Sequence, residues 1–229
     1  MSPAVVSFDL DETLWAFMPM MNGSLAGTIA ALERRRPELA GHITVELLHD
    51  QRRLVAEERE GSYRELRLES FRRVLAAHDV HDPELPAWMV DVWMAERPAA
   101  VQLHDDVEPE LDALATAGRV LGAITNGNFP FAQLDVARRF AFIVHAEQLG
   151  EMKPAPAAFR HAVELCDGDP ARWVHVGDGL DTDVAGAQAC GMKAVWINRA
   201  GLPLPDGYTP DAELPSLAGL TDVVTRLLD

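Results

Sequence analysis

Cysteine is scarce in this chain: Cys166 and Cys190 are the only two among 229 residues. Both fall in stretches that read as buried helix, and two isolated thiols suit a reducing compartment better than a disulfide framework. Long apolar runs are missing too, none approaching the ~20 residues of a membrane span. The first residues lack a basic stretch followed by an apolar one, because Asp9 interrupts at once, so a cytoplasmic location is expected. Positive charge is in deficit, with 20 Lys and Arg against 36 Asp and Glu and a net charge of −16. That excludes nonspecific binding to nucleic acid or an anionic membrane, which needs a basic face. An anionic substrate stays open, because a metal ion can reverse the sign inside one cleft. Internal repeats and low-complexity segments are absent as well. What is present is ordinary globular composition, with 48% hydrophobic residues, enough for one large domain or a core with a smaller insert.

Five short apolar runs rich in β-branched residues read as strands buried on both faces: 4–8, 120–125, 142–145, 174–177 and 194–197. Helical patterns separate the later ones, at Pro109 to Ala117, Pro156 to Cys166 and Asp183 to Cys190. Alternating strand and helix predicts an α/β fold, a Rossmann-like parallel sheet with helices on both faces. The tail, with prolines at 203, 205, 210 and 215, is expected to be an ordered surface loop leading to a last helix at Leu217 to Leu228.

The interval after the first strand is about three times longer than the ~30 residues of a βα unit. It reads as four helices, Leu25 to Arg36, Thr44 to Glu60, Tyr63 to His78 and Glu84 to Arg97, with linkers near Phe17 to Gly23 and Pro98 to Asp105. The many Glu and Arg residues of the second and third are read as solvated faces with i to i+4 pairing. The expected organisation is a core of 1–16 and 105–229, with an all-helical insert over 17–104.

Three of the apolar runs end in polar clusters: Asp9-Leu10-Asp11-Glu12-Thr13, Thr125-Asn126-Gly127, and Asp178 with Asp181 and Asp183. In open parallel sheets, ligands bind beyond the carboxyl ends of strands. Asp9 and Asp11 face one way at i and i+2, and two anions so placed repel unless a cation or proton intervenes. One reading is a Mg²⁺ ion held by Asp9 and Asp178, with Asp9 attacking phosphorus and Asp11 acting as general acid and base. The plainer reading is a solvated acidic turn. Thr125, Asn126 and Gly127 offer a hydroxyl, an amide and a backbone N–H to phosphate oxygens, or form an ordinary turn. Lys153 precedes a helix N-terminus, where a cation can neutralise nucleophile and phosphoryl group, or it is a surface lysine. Asp183 would hold a metal-bound water or orient Lys153, and Asp181 would cap the following helix.

Taken together and in this order, Asp9-Leu10-Asp11-Glu12-Thr13, Thr125-Asn126, Lys153-Pro154 and Gly177-Asp178 with Asp183 resemble the four motifs of the haloacid dehalogenase-like hydrolase superfamily. The resemblance implies a Rossmann-like sheet, bound Mg²⁺, Asp9 as nucleophile, and metal contact through the backbone carbonyl of Asp11. It also implies that the four-helix insert is a C1-type cap. The stretches Phe8 to Trp15, Ile124 to Asn128 and His175 to Asp178 look closest to the flavin mononucleotide and pyrimidine-phosphate phosphatases of riboflavin metabolism. The chain departs from the usual pattern at Gly179, where serine is more usual, and at Thr182, where asparagine is frequent. The expected activity is a Mg²⁺-dependent phosphomonoester phosphatase acting on a small phosphorylated metabolite that enters between core and cap. A phosphomutase on the same scaffold and a non-catalytic binding module are the alternatives; a dehalogenase would have no need of the acid and base at Asp11. The sequence leaves monomer or homodimer open.

Other residues fit plainer roles. His78, His81 and His104 read as surface histidines, His175 as a satisfied core histidine, and Trp88 and Trp93 as core of the insert. Met18, Met20 and Met21 with Trp15 and Phe17 are either junction packing or a pliable apolar wall over substrate.

Overall fold

The structure is a computed structural model that describes residues 3–229. The chain divides into two compact units, Met1–Ala16 with Gln102–Asp229, and Phe17–Val101. The first is built on a parallel sheet of β1 (Val5–Phe8), β2 (Val120–Thr125), β3 (Phe142–His145), β4 (Trp173–Gly177), β5 (Lys193–Ile197) and β6 (Ala212–Leu214). Their spatial order is β3-β2-β1-β4-β5-β6, and every neighbouring pair runs parallel. All of β1 and β4 is buried, which is why those stretches are apolar on both faces apart from Ser7 and His175. Val5, Ile124, Phe159, Trp173 and Trp196 belong to one apolar cluster there. The connecting helices include α5 (Val107–Thr116), α6 (Ala157–Leu165), α7 (Gly186–Ala189) and α8 (Leu220–Leu228).

The second unit holds four helices, α1 (Phe17–Arg35), α2 (Val45–Glu58), α3 (Tyr63–Ala77) and α4 (Leu85–Ala100), around a core that includes Leu25, Leu48, Phe71, Leu85, Met89 and Trp93. Their starts are specified locally. Thr44 caps α2 by accepting from Leu47 N–H at 3.2 Å. Ser62 and Glu65 cap α3 reciprocally, satisfying two otherwise orphaned donors.

Four elements differ from the sequence expectation. The linker expected over Phe17 to Gly23 is the opening of α1, since Pro19 lies in its first turn, where its missing N–H costs nothing. Likewise α4 continues through Pro98 to Ala100. Instead of one helix over Asp183 to Cys190, a single π-helical turn at Leu180–Ala185 precedes α7. The tail contributes β6, with Asn198 N–H bonded to Leu214 O at 2.8 Å. Among the described residues, no helix is long and apolar enough to cross a membrane.

Candidate active site

The strand order reverses direction at β1, whose neighbours are β2 and β4. That is the topological switch point, where open parallel sheets leave a crevice at their carboxyl ends. Asp9 follows β1, and its N–H bonds Val176 O of β4 at 2.8 Å. Thr125 ends β2, and Asp178 directly follows β4. The three strand-end clusters therefore meet at one rim. Glu12 adopts a φ of +61°, a left-handed conformation uncommon outside glycine. The turn brings Thr13 back within 3.5 Å of the Asp178 carboxylate.

Lys153 sits at the centre and is only 3% exposed. Its three ammonium hydrogens are matched by three acceptors: Asp9 Oδ1 at 2.8 Å, Ile124 O at 2.7 Å and Asp183 Oδ1 at 2.6 Å. Burial works against the charge, but Asp183 and Asp9 more than offset it, and the Lys153 pKa is raised. Asp183 has both oxygens engaged. Oδ1 also accepts from His175 Nε2 at 3.3 Å, and Oδ2 accepts from Gly179 N–H at 2.9 Å and Thr182 Oγ1 at 3.4 Å. Burial again opposes ionisation there, and Lys153 and His175 overcome it, so the Asp183 pKa is lowered.

Asp9 and Asp178 are held differently. Burial, followed by the repulsion of Asp183, pushes the Asp9 carboxyl well above its ordinary range despite Lys153. Asp178 is pushed up to about 6, by burial first and then by Asp183. Oxygen atoms of Asp9, Asp178 and Asp183 all lie within 4.8 Å of one another. Three carboxylates facing one ammonium leave a surplus of two negative charges in a buried place. An all-oxygen donor set with that surplus fits a hard divalent cation such as Mg²⁺. Both Asp183 oxygens accept hydrogen bonds, whereas Asp9 meets Lys153 through Oδ1, so Asp9 and Asp178 could hold the ion. A cavity of about 130 Å³ on the Asp178 side is lined by Glu12, Asp178, Trp196, Asn198 and Arg199, room for a few waters at ~30 Å³ each.

The second cluster departs from its expected role. The Asn126 side chain accepts from Lys153 N–H at 2.6 Å and donates to Lys153 O at 3.0 Å. It thereby clamps the Lys153 backbone and uses one of its two amide hydrogens there. Gly127 N–H is also engaged, bonded to Thr125 Oγ1 at 3.0 Å, which leaves the Thr125 O–H to donate. Asp11 accepts from Trp15 Nε1 at 2.9 Å, and a Cβ placed on Gly127 would stand 3.3 Å from its other oxygen. The Asp11 carboxylate is thus pinned beside the Thr125-Asn126-Gly127 turn. Asp181 opens the π-helical turn ahead of Asp183 without acting as its side-chain cap.

Several participants are not apparent from motifs alone. Ser7, His175 and the Ile124 carbonyl lie behind the carboxylates, while Trp196 Nε1 donates to Asp178 O at 2.8 Å and Arg199 donates to Thr13 O at 3.1 Å. The available signal is a polar residue at the third position of two apolar runs, Val5-Val6-Ser7 and Trp173-Val174-His175. These two residues are register partners across β1 and β4. His78 Nδ1 bonds Val74 O at 2.8 Å, a helix-end contact. Trp93 lies in the core of the helical unit, and Trp88 packs against it.

The profile of the haloacid dehalogenase-like hydrolases matches residues 3–191. Glyceraldehyde 3-phosphate phosphatase of Methanopyrus kandleri is 29% identical over 231 residues, covering 97% of this chain and 97% of that protein. The Escherichia coli 5-amino-6-(5-phospho-D-ribitylamino)uracil phosphatase YigB is 26% identical over 230 residues, covering 96% of each. A solved 2-haloacid dehalogenase from Pseudomonas syringae pv. tomato is 35% identical with a TM-score of 0.81, covering 98% of this chain and 99% of that one. The fold thus has its counterpart in a solved hydrolase, and the chain belongs to the haloacid dehalogenase-like hydrolase family.

Proposed function

We propose that the chain is a Mg²⁺-dependent phosphomonoester phosphatase that works through an aspartyl-phosphate on Asp9. The observation that carries the reading is the Lys153 ammonium locked onto Asp9 and Asp183 beside Asp178, with a second carboxylate, Asp11, two residues on. Asp9 would attack phosphorus through one carboxylate oxygen while Lys153 steadies the other. Asp11 would protonate the leaving alcohol and then deprotonate the water that cleaves the acyl phosphate. Thr125 would donate to a phosphoryl oxygen. Asp9, Asp178 and the backbone carbonyl of Asp11 would hold Mg²⁺, which when bound would supply charge neutralisation for the phosphate. In phosphoryl transfer such positioning and neutralisation carry most of the catalysis.

A second reading is favoured by the likeness to the solved 2-haloacid dehalogenase. It would use Asp9 as a nucleophile toward carbon. Displacing a halide needs no proton for the leaving group and no offset for two surplus carboxylates, so Asp11 and Asp178 favour the phosphatase. The substrate is proposed to be a small phosphorylated metabolite, with a phosphorylated flavin or its pyrimidine precursor the first candidate; the YigB relative acts on the latter kind of molecule.

The test is a panel run with and without Mg²⁺. It contains flavin mononucleotide, 5-amino-6-(5-phospho-D-ribitylamino)uracil, glyceraldehyde 3-phosphate, sugar phosphates, nucleotides and p-nitrophenyl phosphate, with 2-chloropropionate as the halide arm. Mg²⁺-dependent phosphate release is expected. Halide release alone would establish the dehalogenase, transfer of the phosphoryl group to a sugar would indicate a mutase, and an inert panel would favour a binding module.

A further inference from the structure

We infer that His175 is a positioning residue of the catalytic centre, a link in a buried chain Ser7–His175–Asp183–Lys153–Asp9 that fixes where the nucleophile points. This rests on the proposed role of Asp9.

The chain is continuous in distance. Ser7 Oγ lies 2.9 Å from His175 Nδ1, and His175 Nε2 lies 3.3 Å from Asp183 Oδ1. That same oxygen is 2.6 Å from Lys153 Nζ, which is 2.8 Å from Asp9 Oδ1. Ser7 and His175 are both 0% exposed. They sit opposite each other in the register of β1 and β4, so two rigid strands hold the imidazole from behind. Phe159 packs edge-on against the ring, its centroid 5.2 Å away at an interplanar angle of 88°. The ring therefore has little freedom to rotate.

The tautomer follows from the donor inventory. The ionised Asp183 can only accept, so His175 Nε2 must carry hydrogen toward it. Burial first and then the nearby Lys153 cation lower the His175 pKa and favour the neutral ring, in which Nδ1 accepts and the Ser7 O–H donates to it. Asp183 Oδ1 thus receives two donors from different directions, Lys153 and His175. Removing the second would leave Oδ1 held by Lys153 alone, so the carboxylate could pivot about Oδ2, which Gly179 and Thr182 hold, and carry the ammonium and Asp9 with it. Outer partners of this kind typically change activity by about 10- to 100-fold, because misplacement of reacting groups by about 1 Å is costly.

The test compares His175→Gln, which can place a side-chain N–H near the position of Nε2, with His175→Met, which fills similar volume without a donor. With p-nitrophenyl phosphate, His175→Met is expected to lose kcat about 30-fold with KM changed less than about threefold. His175→Gln is expected to recover at least half of that loss on a logarithmic scale. Long-range ¹H–¹⁵N NMR of the wild type is expected to show Nε2 protonated and Nδ1 bare. The slowly exchanging Lys153 NH₃⁺ signal is expected to persist in His175→Gln and to broaden away in His175→Met. Wild-type kcat in a folded His175→Met, equal losses in both variants, or a protonated Nδ1 would overturn the inference. Were the wild type inert toward phosphomonoesters, the phosphatase reading would fall, and the tautomer and Lys153 signal would still decide the role of His175.

Discussion

Lys153 leaves no ammonium hydrogen unused, and that makes the surrounding residues sensitive to substitution in different ways. Asp9→Asn keeps an acceptor for Lys153 but removes the attacking carboxylate. Turnover of p-nitrophenyl phosphate should fall by at least ~10³-fold, with circular dichroism unchanged; activity near wild type would remove Asp9 as nucleophile. Asp178 gives a pH prediction. Its pKa is raised to about 6, so a proton occupies it more readily than an ordinary carboxylate, and Mg²⁺ must displace that proton. Affinity for Mg²⁺ should therefore decline as pH falls through about 6, by up to tenfold per pH unit for each displaced proton, with the raised Asp9 carboxyl adding to the decline. Isothermal titration calorimetry between pH 5 and 8 measures this, and a flat profile would exclude Asp178 from the ion. At this scale the charged residues were legible in the sequence, because carboxylates and a lysine at strand ends and helix starts have few structural reasons to gather. The job of Asn126 was not. Whether an amide faces a ligand or clamps a neighbouring backbone depends on where Lys153 lies, 27 positions along the chain.

At the scale of elements, the turn after β4 is built around close approach. A Cβ on Gly177 would lie 2.4 Å from Asp183 Cγ and 2.6 Å from its Cβ, atoms near the backbone that cannot swing aside. Gly177→Ala should displace Asp183, and with it Lys153, lowering kcat by about 10- to 100-fold while the sheet still forms; kinetics alongside thermal unfolding separates the two effects. In the helical unit, Gly23 has the same logic, since its Cβ would stand 3.1 Å from Ala100 Cβ where α1 meets α4. That explains why Pro19 and Gly23 read as a linker and yet lie in a helix. The first is harmless in an opening turn, and the second serves packing that local sequence does not display. β6 escaped notice for a related reason: Ala212-Glu213-Leu214 is three residues long with one of them exposed, too short for periodicity to mark. Between α3 and α4, Arg67 is 5% exposed and rests 4.9 Å over Trp93. Its pKa is pushed down to about 9 by burial and by the like charges of Arg52 and Arg97. Stacking on Trp93 thus returns less than burial costs. Arg67→Met should raise the thermal midpoint, by about 1 kcal/mol or more in stability; a lower midpoint would mean that Arg67 holds the helices together.

For the whole molecule, the decisive fact is how the 85-residue helical unit, Phe17–Val101, joins the sheet unit. Its two connections are neighbours. Trp15 forms an antiparallel bridge with Leu103, and His104 N–H bonds Leu14 O at 3.0 Å. The chain leaves and returns through a short ladder that belongs to the sheet unit, so the insertion spans a gap a tight turn could close. Each unit also has its own apolar cluster, the condition for independent folding. Replacing residues 17–101 by a short Gly- and Asn-rich turn should leave a sheet unit that unfolds in one cooperative transition. Such a ladder supports a hairpin connection, and insertions are tolerated where the flanking backbone is already paired. The shortened protein should still bind Mg²⁺, because Asp9, Asp178, Lys153 and Asp183 all come from the retained residues. Its selectivity among phosphomonoesters should narrow toward that of p-nitrophenyl phosphate if the helical unit chooses the substrate. Circular dichroism, calorimetry and the substrate panel check the three statements in turn. An aggregated or molten product would show that the sheet unit depends on the helices, and unchanged selectivity would assign substrate choice to the rim of the sheet itself.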